Sequence, residues 1–253
     1  MTGLLRRVRD ESSQAWAITV KDIRVYYLTP PMIMLGLLMP FFMFFSFSVR
    51  REMAPGTSLA RLLALITFFT ASSAGPVIVP LERRTGTLDR LLAAPLSITT
   101  LLVAKSLVGI IFGIGVAMLP FLASVLIVGV SPQDAPLLIA STILSSCAFS
   151  AMGLLFASYP TQSPGIILMP STLLRWPLLF ISGVFIPLEE MSWWARALSF
   201  LSPLTYAQDL MNHAVLGAGV QAVWLNLAIL FLFFGAFLYA ALRLQYWSRR
   251  LGY

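Results

Sequence analysis

The sequence predicts an all-α polytopic membrane protein with six transmembrane helices. Three observations predict it. Of the 253 residues, 58% are hydrophobic and only 11% are charged, whereas a soluble domain carries roughly 25% charged residues. Apolar runs of about 20 residues recur along the chain, the length that crosses a hydrocarbon layer about 30 Å thick. The charges that do occur are gathered into short islands between those runs. A run that is apolar on every side at that length is not an ordinary core helix. No polar interval is long enough for a sizeable soluble domain, and no internal repeat or low-complexity tract is visible.

The elements follow in order. Residues 1–29 are amphipathic. Trp16, Val20, Ile23 and Tyr27 share one helical face, with Lys21, Asp22 and Arg24 pointing elsewhere. Aromatic residues beside basic ones suit the headgroup region, so this segment reads as a helix lying on the membrane surface. The first long apolar run starts about thirty residues in, later than a cleavable signal peptide would place it. Residues 30–253 then form the six-span domain. Pro30 and Pro31 lead into span one, 32–49, which Arg50, Arg51 and Glu52 close. Span two is 59–80. Span three is 100–130, long enough to tilt or to extend into water at its Lys105 end. Span four is 135–159. Its small residues, Ser141, Ser145, Ser146, Ala148, Ser150 and Gly153, let backbones approach closely and predict a central place. Span five is 165–187, interrupted by Pro170 and Pro177. Residues 188–218 are too polar for a span and too apolar for a free loop, and read as a re-entrant segment of two short helices broken at Ser202-Pro203. Span six is 220–242.

Between spans two and three lies a charged island, LERRTGTLDRLLAAPLSITTLLVAK, from Leu81 to Lys105. Glu82, Arg83, Arg84, Asp89 and Arg90 are too costly for hydrocarbon, so the island is expected in water beside the membrane. It reads as a short helix over 82–95. Thr85 or Thr87 caps it, Leu88, Leu91 and Leu92 share one side, and Pro95 ends it. Such a helix, slung between two spans, is shaped to be gripped from the water side. With six spans both ends share one side. Twelve of the seventeen Lys and Arg fall on that side, four on the other (Arg50, Arg51, Arg61, Arg196), and Arg175 falls inside the membrane. The bias makes both ends and the Glu82 island cytoplasmic. It also accounts for the net charge of +7 without nucleic acid as a partner.

Catalytic patterns are missing. There is no P-loop and no G-x-S-x-G. His213 is the only histidine and Cys147 the only cysteine, which excludes a His-rich metal site and an intramolecular disulfide. Asp209 and His213 are four apart, a spacing that admits an acid–base couple but reads better as a polar contact closing the re-entrant segment. Arg175 lies about ten residues into its span, near mid-bilayer. A charge there faces protein or a wet cavity, as a contact for an anionic substrate group or as a structural partner of a carbonyl or carboxylate.

The run Glu82-Arg83-Arg84-Thr85-Gly86-Thr87-Leu88-Asp89-Arg90-Leu91-Leu92, followed by Pro95-Leu96-Ser97 and Lys105, closely resembles a loop of type-2 ATP-binding-cassette (ABC) transporter permeases. Ser182-Gly183-Val184-Phe185-Ile186-Pro187 resembles the end of that family's fifth span, and Ser202-Pro203-Leu204-Thr205-Tyr206-Ala207 a stretch of its re-entrant segment. Asp89 stands where the family often has Glu, with the charge intact. The resemblance implies the transmembrane subunit of an ABC exporter in a prokaryotic inner membrane. It implies a dimer with itself or a similar permease and two P-loop ATPase chains that hold ATP and magnesium, with no cofactor in this chain. The island, Glu82 to Arg90, then resembles the coupling helix that docks on the ATPase, and the helix near Trp16 the interface helix beside it. Within the family the sequence looks nearest to exporters of drug-like or other amphipathic molecules, with polysaccharide or lipid-linked glycan export as the alternative. A secondary transporter or channel would show paired broken helices or several intramembrane acids, which are not seen.

Overall fold

The computed structural model describes residues 2–26, 30–48, 54–93, 97–161 and 163–250, and among them every regular element is helical. Helix α1 (Thr2–Tyr26) is followed by α2 (Pro30–Ile33), which runs through a π-helical stretch at Met34–Leu38 into α3 (Met39–Ser48). Next come α4 (Pro55–Arg84), α5 (Thr87–Ala93) and α6 (Ile98–Ala123), whose last turn is π-helical over Ser124–Val128. The chain continues with α7 (Ala135–Ala157), α8 (Pro164–Phe180), α9 (Trp193–Ser199), α10 (Pro203–Leu216) and α11 (Val223–Arg250).

Among the described residues four stretches are long and apolar enough to cross a membrane: Pro55–Arg84, Ile98–Val128, Ala135–Ala157 and Val223–Trp247. The apolar helices Gly36–Ser46 and Gly165–Phe180 are shorter. Starts are set by local chemistry. Ser97 accepts the Thr100 N–H at 3.0 Å, and Asp134 accepts the Leu137 N–H at 2.8 Å, each satisfying a donor with no partner inside its helix. Pro164 and Pro203 occupy first positions, where the missing N–H is harmless.

The central helix is α4 rather than the small-residue span. In its most apolar window α4 is 94% buried, against 61% for α7. It packs on both α6 and α7, while α10 packs on α4, α7 and α11. The small residues expected to centre span four do serve close approach, but α4 answers them with its own Ala71, Ser72, Ser73, Ala74 and Gly75. Around this seam Phe68 meets Phe149 edge to face, ring centroids 5.0 Å apart. At Gly153 the approach is closest, and a Cβ there would collide with the Ser72 carbonyl. Gly153→Ala must therefore push α7 off α4. We expect a loss of about 1–3 kcal/mol, read as a lower thermal midpoint of the purified protein; an unchanged midpoint would show that the two helices part freely.

Several boundaries differ from the sequence reading; the last helix, for one, runs to Arg250 rather than stopping at residue 242. Span two does not stop at Pro80 but continues helically to Arg84. The stretch 82–95 is accordingly not one helix: Glu82, Arg83 and Arg84 complete α4, Thr85-Gly86 turn, and α5 takes Thr87–Ala93. Pro95 lies outside the described residues. Span five ends at Phe180 instead of Pro187, because the Ser182 hydroxyl turns back to the Leu179 carbonyl at 2.6 Å and closes the helix. The break at Ser202-Pro203 falls where the proline places it, between α9 and α10.

Candidate functional site

At 30 residues α4 is about 45 Å long, more than a hydrocarbon core needs, and its last turn carries Glu82, Arg83 and Arg84. There it meets α1, α5 and α6. Glu82, on the final turn of α4, is 0% exposed. Its Oε2 accepts from Lys105 Nζ of α6 at 2.5 Å and its Oε1 from Lys21 Nζ of α1 at 2.5 Å. Asp22 of α1, also fully buried, accepts from the same Lys105 Nζ at 2.5 Å through Oδ2. Lys21 Nζ also lies 2.7 Å from Asp22 Oδ1, close enough for charge pairing. Two cations and two carboxylates thus neutralise one another and tie three helices at one point. The Thr19 hydroxyl adds a bond to the Ala104 carbonyl at 3.1 Å beside them.

Sequence reasoning missed this clamp. It read Glu82 as solvated and placed Asp22 off the aromatic face of its helix. Both are buried, because each finds a lysine that a linear reading leaves in another segment. Burial pulls the Lys21 ammonium down, but hydrogen bonding and attraction to Asp22 and Glu82 outweigh it and hold the group above its ordinary 10.5. Its stabilising share is therefore present at all pH values below the ordinary lysine range, and disappears only as pH rises through the higher folded value.

An apolar cluster surrounds the clamp. Ala15 and Ile18 of α1, Val79 of α4, Leu88 of α5, Leu101 and Ala104 of α6 and Ala157 of α7 pack together. Leu88 anchors α5, with Leu91 half-buried beside it; the side chains of Asp89 and of Leu92, the third leucine the sequence put on that side, lie outside the described residues. The turn into α5 depends on Gly86, which adopts φ +67° and lets the Thr85 and Gly86 N–H groups cap the last carbonyls of α4. Thr85 bonds back to the Leu81 carbonyl and meets the Thr87 hydroxyl at 3.0 Å. Arg83 donates to the Tyr159 and Thr161 carbonyls at 2.7 and 2.6 Å, tying α4 to the turn after α7. Arg84 and Arg90 stay exposed.

The face of α1 also differs. Among its described side chains the buried ones are Ala15, Ile18, Thr19 and Asp22, and the helix packs on α6. Of the face named from sequence, Trp16 is exposed and Val20 and Ile23 are half-buried, with Ile23 reaching a second apolar cluster; Tyr27 lies outside the described residues. Trp16 thus faces outward, and the polar Asp22 turns in.

Residues 13–216 match the family model described as ABC-2 type transporter. The chain belongs to that family. It is also similar to the probable multidrug ABC transporter permease YbhR of Escherichia coli K12, and to the same-named protein of strain O157:H7, each 26% identical over 174 residues. That match covers 66% of this chain and 45% of each relative, so the chain spans less than half the length of the curated relatives it matches. The ABC-2 family fits the apolar helices and makes this chain a transmembrane subunit, not itself catalytic.

In this ABC-2 transporter Arg175 is 1% exposed and sits against α4, donating to the Ser72 carbonyl at 2.5 Å and to the Ser73 hydroxyl at 3.1 Å. No carboxylate among the described residues pairs with it. The Ser72 carbonyl has a particular need: its helical donor would be the N–H of residue 76, and residue 76 is proline. The guanidinium supplies the missing donor. The two prolines of α8 are not the reason for the arginine; the proline of α4 is.

Asp209 and His213 close the end of the segment after α9. Asp209 accepts the Val220 N–H at 2.7 Å, the Gln221 N–H at 2.9 Å and the Asn226 amide at 2.7 Å, while His213 Nε2 meets the Gln221 carbonyl at 2.7 Å. This is a loop closure.

Proposed function

We propose that this ABC-2 chain is the permease subunit of an exporter, driven by a separate ATPase that binds ATP and magnesium. The observation that carries the reading is the buried four-charge clamp under an exposed basic helix end. A partner pressing on α5 moves Leu88 and the clamp with it, and the clamp drags the ends of α4 and α6 as one body. Coupling needs two such arrangements, one of which the ATP-bound partner favours. On this reading α2–α3 and α8 are the two shorter of six spans, α9 and α10 form the re-entrant segment, and both ends face the cytoplasm by the Lys and Arg bias. Two permease chains and two ATPase chains make the complex, and Glu82 to Arg90 is its coupling region. The name of the curated relatives supports drug-like or other amphipathic substrates.

The test separates docking from folding. Arg84 and Arg90 are exposed, so the double charge reversal Arg84→Glu, Arg90→Glu is expected to change stability by no more than about 0.5 kcal/mol. Like charges across a docking face cost several kcal/mol. We therefore expect loss of co-purifying ATPase and at least a tenfold fall in ATP-driven flux in vesicles. Unchanged flux and unchanged recovery of the ATPase would remove this region from the mechanism.

A further inference from the structure

Helix α8 meets the rest of the molecule along one ridge. Among its described side chains the buried ones are Ile167, Ser171, Arg175 and Leu179, each about one turn from the next. Ile166, Met169, Leu173 and Leu174, on its other side, are exposed. Both ends are tied. Arg83 of α4 holds the Tyr159 and Thr161 carbonyls just before α8. The Ser202 hydroxyl, at the start of α10, donates to the Leu178 carbonyl at 3.1 Å. Between the ties the helix is jointed. Pro170 and Pro177 lack an N–H, so the helical bonds to the Ile166 and Leu173 carbonyls are missing on either side of Arg175. The middle of the ridge holds α4 by a balanced contact. The Ser171 hydroxyl turns back to the Leu168 carbonyl of its own helix at 3.0 Å. Arg175 reaches Ser73 through Nη1 and Ser72 through Nη2, but its Nε is buried with no partner among the described residues. No ion pair among the described residues neutralises its charge. Taking a guanidinium out of water costs about as much as two charge-assisted hydrogen bonds return. A closed seam balanced in this way lies close in free energy to an open one in which water solvates the guanidinium, the condition for two populated states.

We propose that α8 is a strap that bows away from α4 about Pro170 and Pro177, with Arg175 as its latch. Closed, the guanidinium supplies the donor that Pro76 denies the Ser72 carbonyl. Open, water solvates both groups, while the ties at Arg83 and Ser202 keep the ends of α8 in place. The seam then admits water without unfolding either helix. The inference concerns α4 and α8 alone and does not rest on the exporter reading.

The experiment reads water in the seam. The full-length protein is purified in nanodiscs with Cys147→Ala, which removes the one native thiol. Ser171→Cys places a probe on the ridge beside the latch, and Ser146→Cys places one inside α7; both serines are 0% exposed. An uncharged, water-soluble methanethiosulfonate labels each, since the thiolate that reacts forms only where water reaches the thiol. Local opening of the strap makes Ser171→Cys react about a hundredfold faster than Ser146→Cys, which is reached only by wider unfolding. Arg175→Met leaves the Ser72 carbonyl without a donor in the closed seam, and is expected to speed Ser171→Cys labelling about tenfold. Should Arg175→Met not assemble, Ser73→Ala removes one of the two latch bonds and is expected to speed labelling about threefold. Ile167→Cys, one turn earlier on the ridge, replaces Ser171→Cys if that probe misfolds, with the same results expected. Equal rates on the ridge and in α7, or a ridge rate that the latch variants leave unchanged, overturns the proposal and makes α8 a fixed part of the bundle.

Discussion

Lys105→Met is expected to destabilise the protein by about 3–5 kcal/mol, the largest effect of any single substitution considered. Lys105 is 3% exposed and its Nζ touches both Asp22 Oδ2 and Glu82 Oε2 at 2.5 Å. Methionine preserves the volume and removes only the charge. Two fully buried carboxylates would then share Lys21, which is itself part-exposed. Loss of one partner from a buried set is costly chiefly because the others keep their desolvation penalty. Lys21→Met should cost less, since water reaches that side chain. The companion variant Asp22→Asn with Lys105→Met leaves one cation and one anion and is expected to regain part of the loss. Thermal unfolding of these four proteins, and of Asp22→Asn alone, in one detergent measures this. Equal midpoints for the native protein and Lys105→Met would mean that the clamp contributes nothing. A double variant no better than the sum of its parts would mean that the charges do not act as a set. Only variants that fold then inform on transport.

Arg175→Met is expected to cost about 2 kcal/mol, and to become nearly harmless when Pro76→Ala is added. Without the guanidinium the Ser72 carbonyl is buried with no donor, worth about 1–3 kcal/mol. Restoring an N–H at residue 76 satisfies the carbonyl from within α4, so the arginine is no longer needed there. The coupling energy between the two substitutions is predicted at about 1–3 kcal/mol, against near zero for sites without a shared partner. Additive losses would show that the proline and the arginine are unrelated. Transport supplies a separate check. An arginine that holds α8 to α4 affects acidic and neutral compounds alike once flux is normalised to assembled protein; selective loss of acidic compounds would place Arg175 on the substrate path.

Several features were legible in the chain itself. Apolar length is a one-dimensional property, so the long helices α4, α6, α7 and α11 could be read from composition alone, with their ends a few residues off. The break at Ser202-Pro203 and the anchor at Leu88 follow from local rules of the same kind. The family signature between Glu82 and Lys105 is a matter of residue order, and the match over residues 13–216 agrees with it. Local rules failed where a distant residue supplies what the local sequence lacks. Pro80 looked like the end of span two, yet α4 runs through Pro76 and Pro80 to Arg84, with Arg175, 103 residues away, bonding the freed Ser72 carbonyl. Asp22 looked solvated because its partner Lys105 is 83 residues on, and Glu82 because its partners are 61 and 23 residues away. The sequence states which charges exist; only packing three helices within hydrogen-bond reach, away from water, makes four of them a clamp.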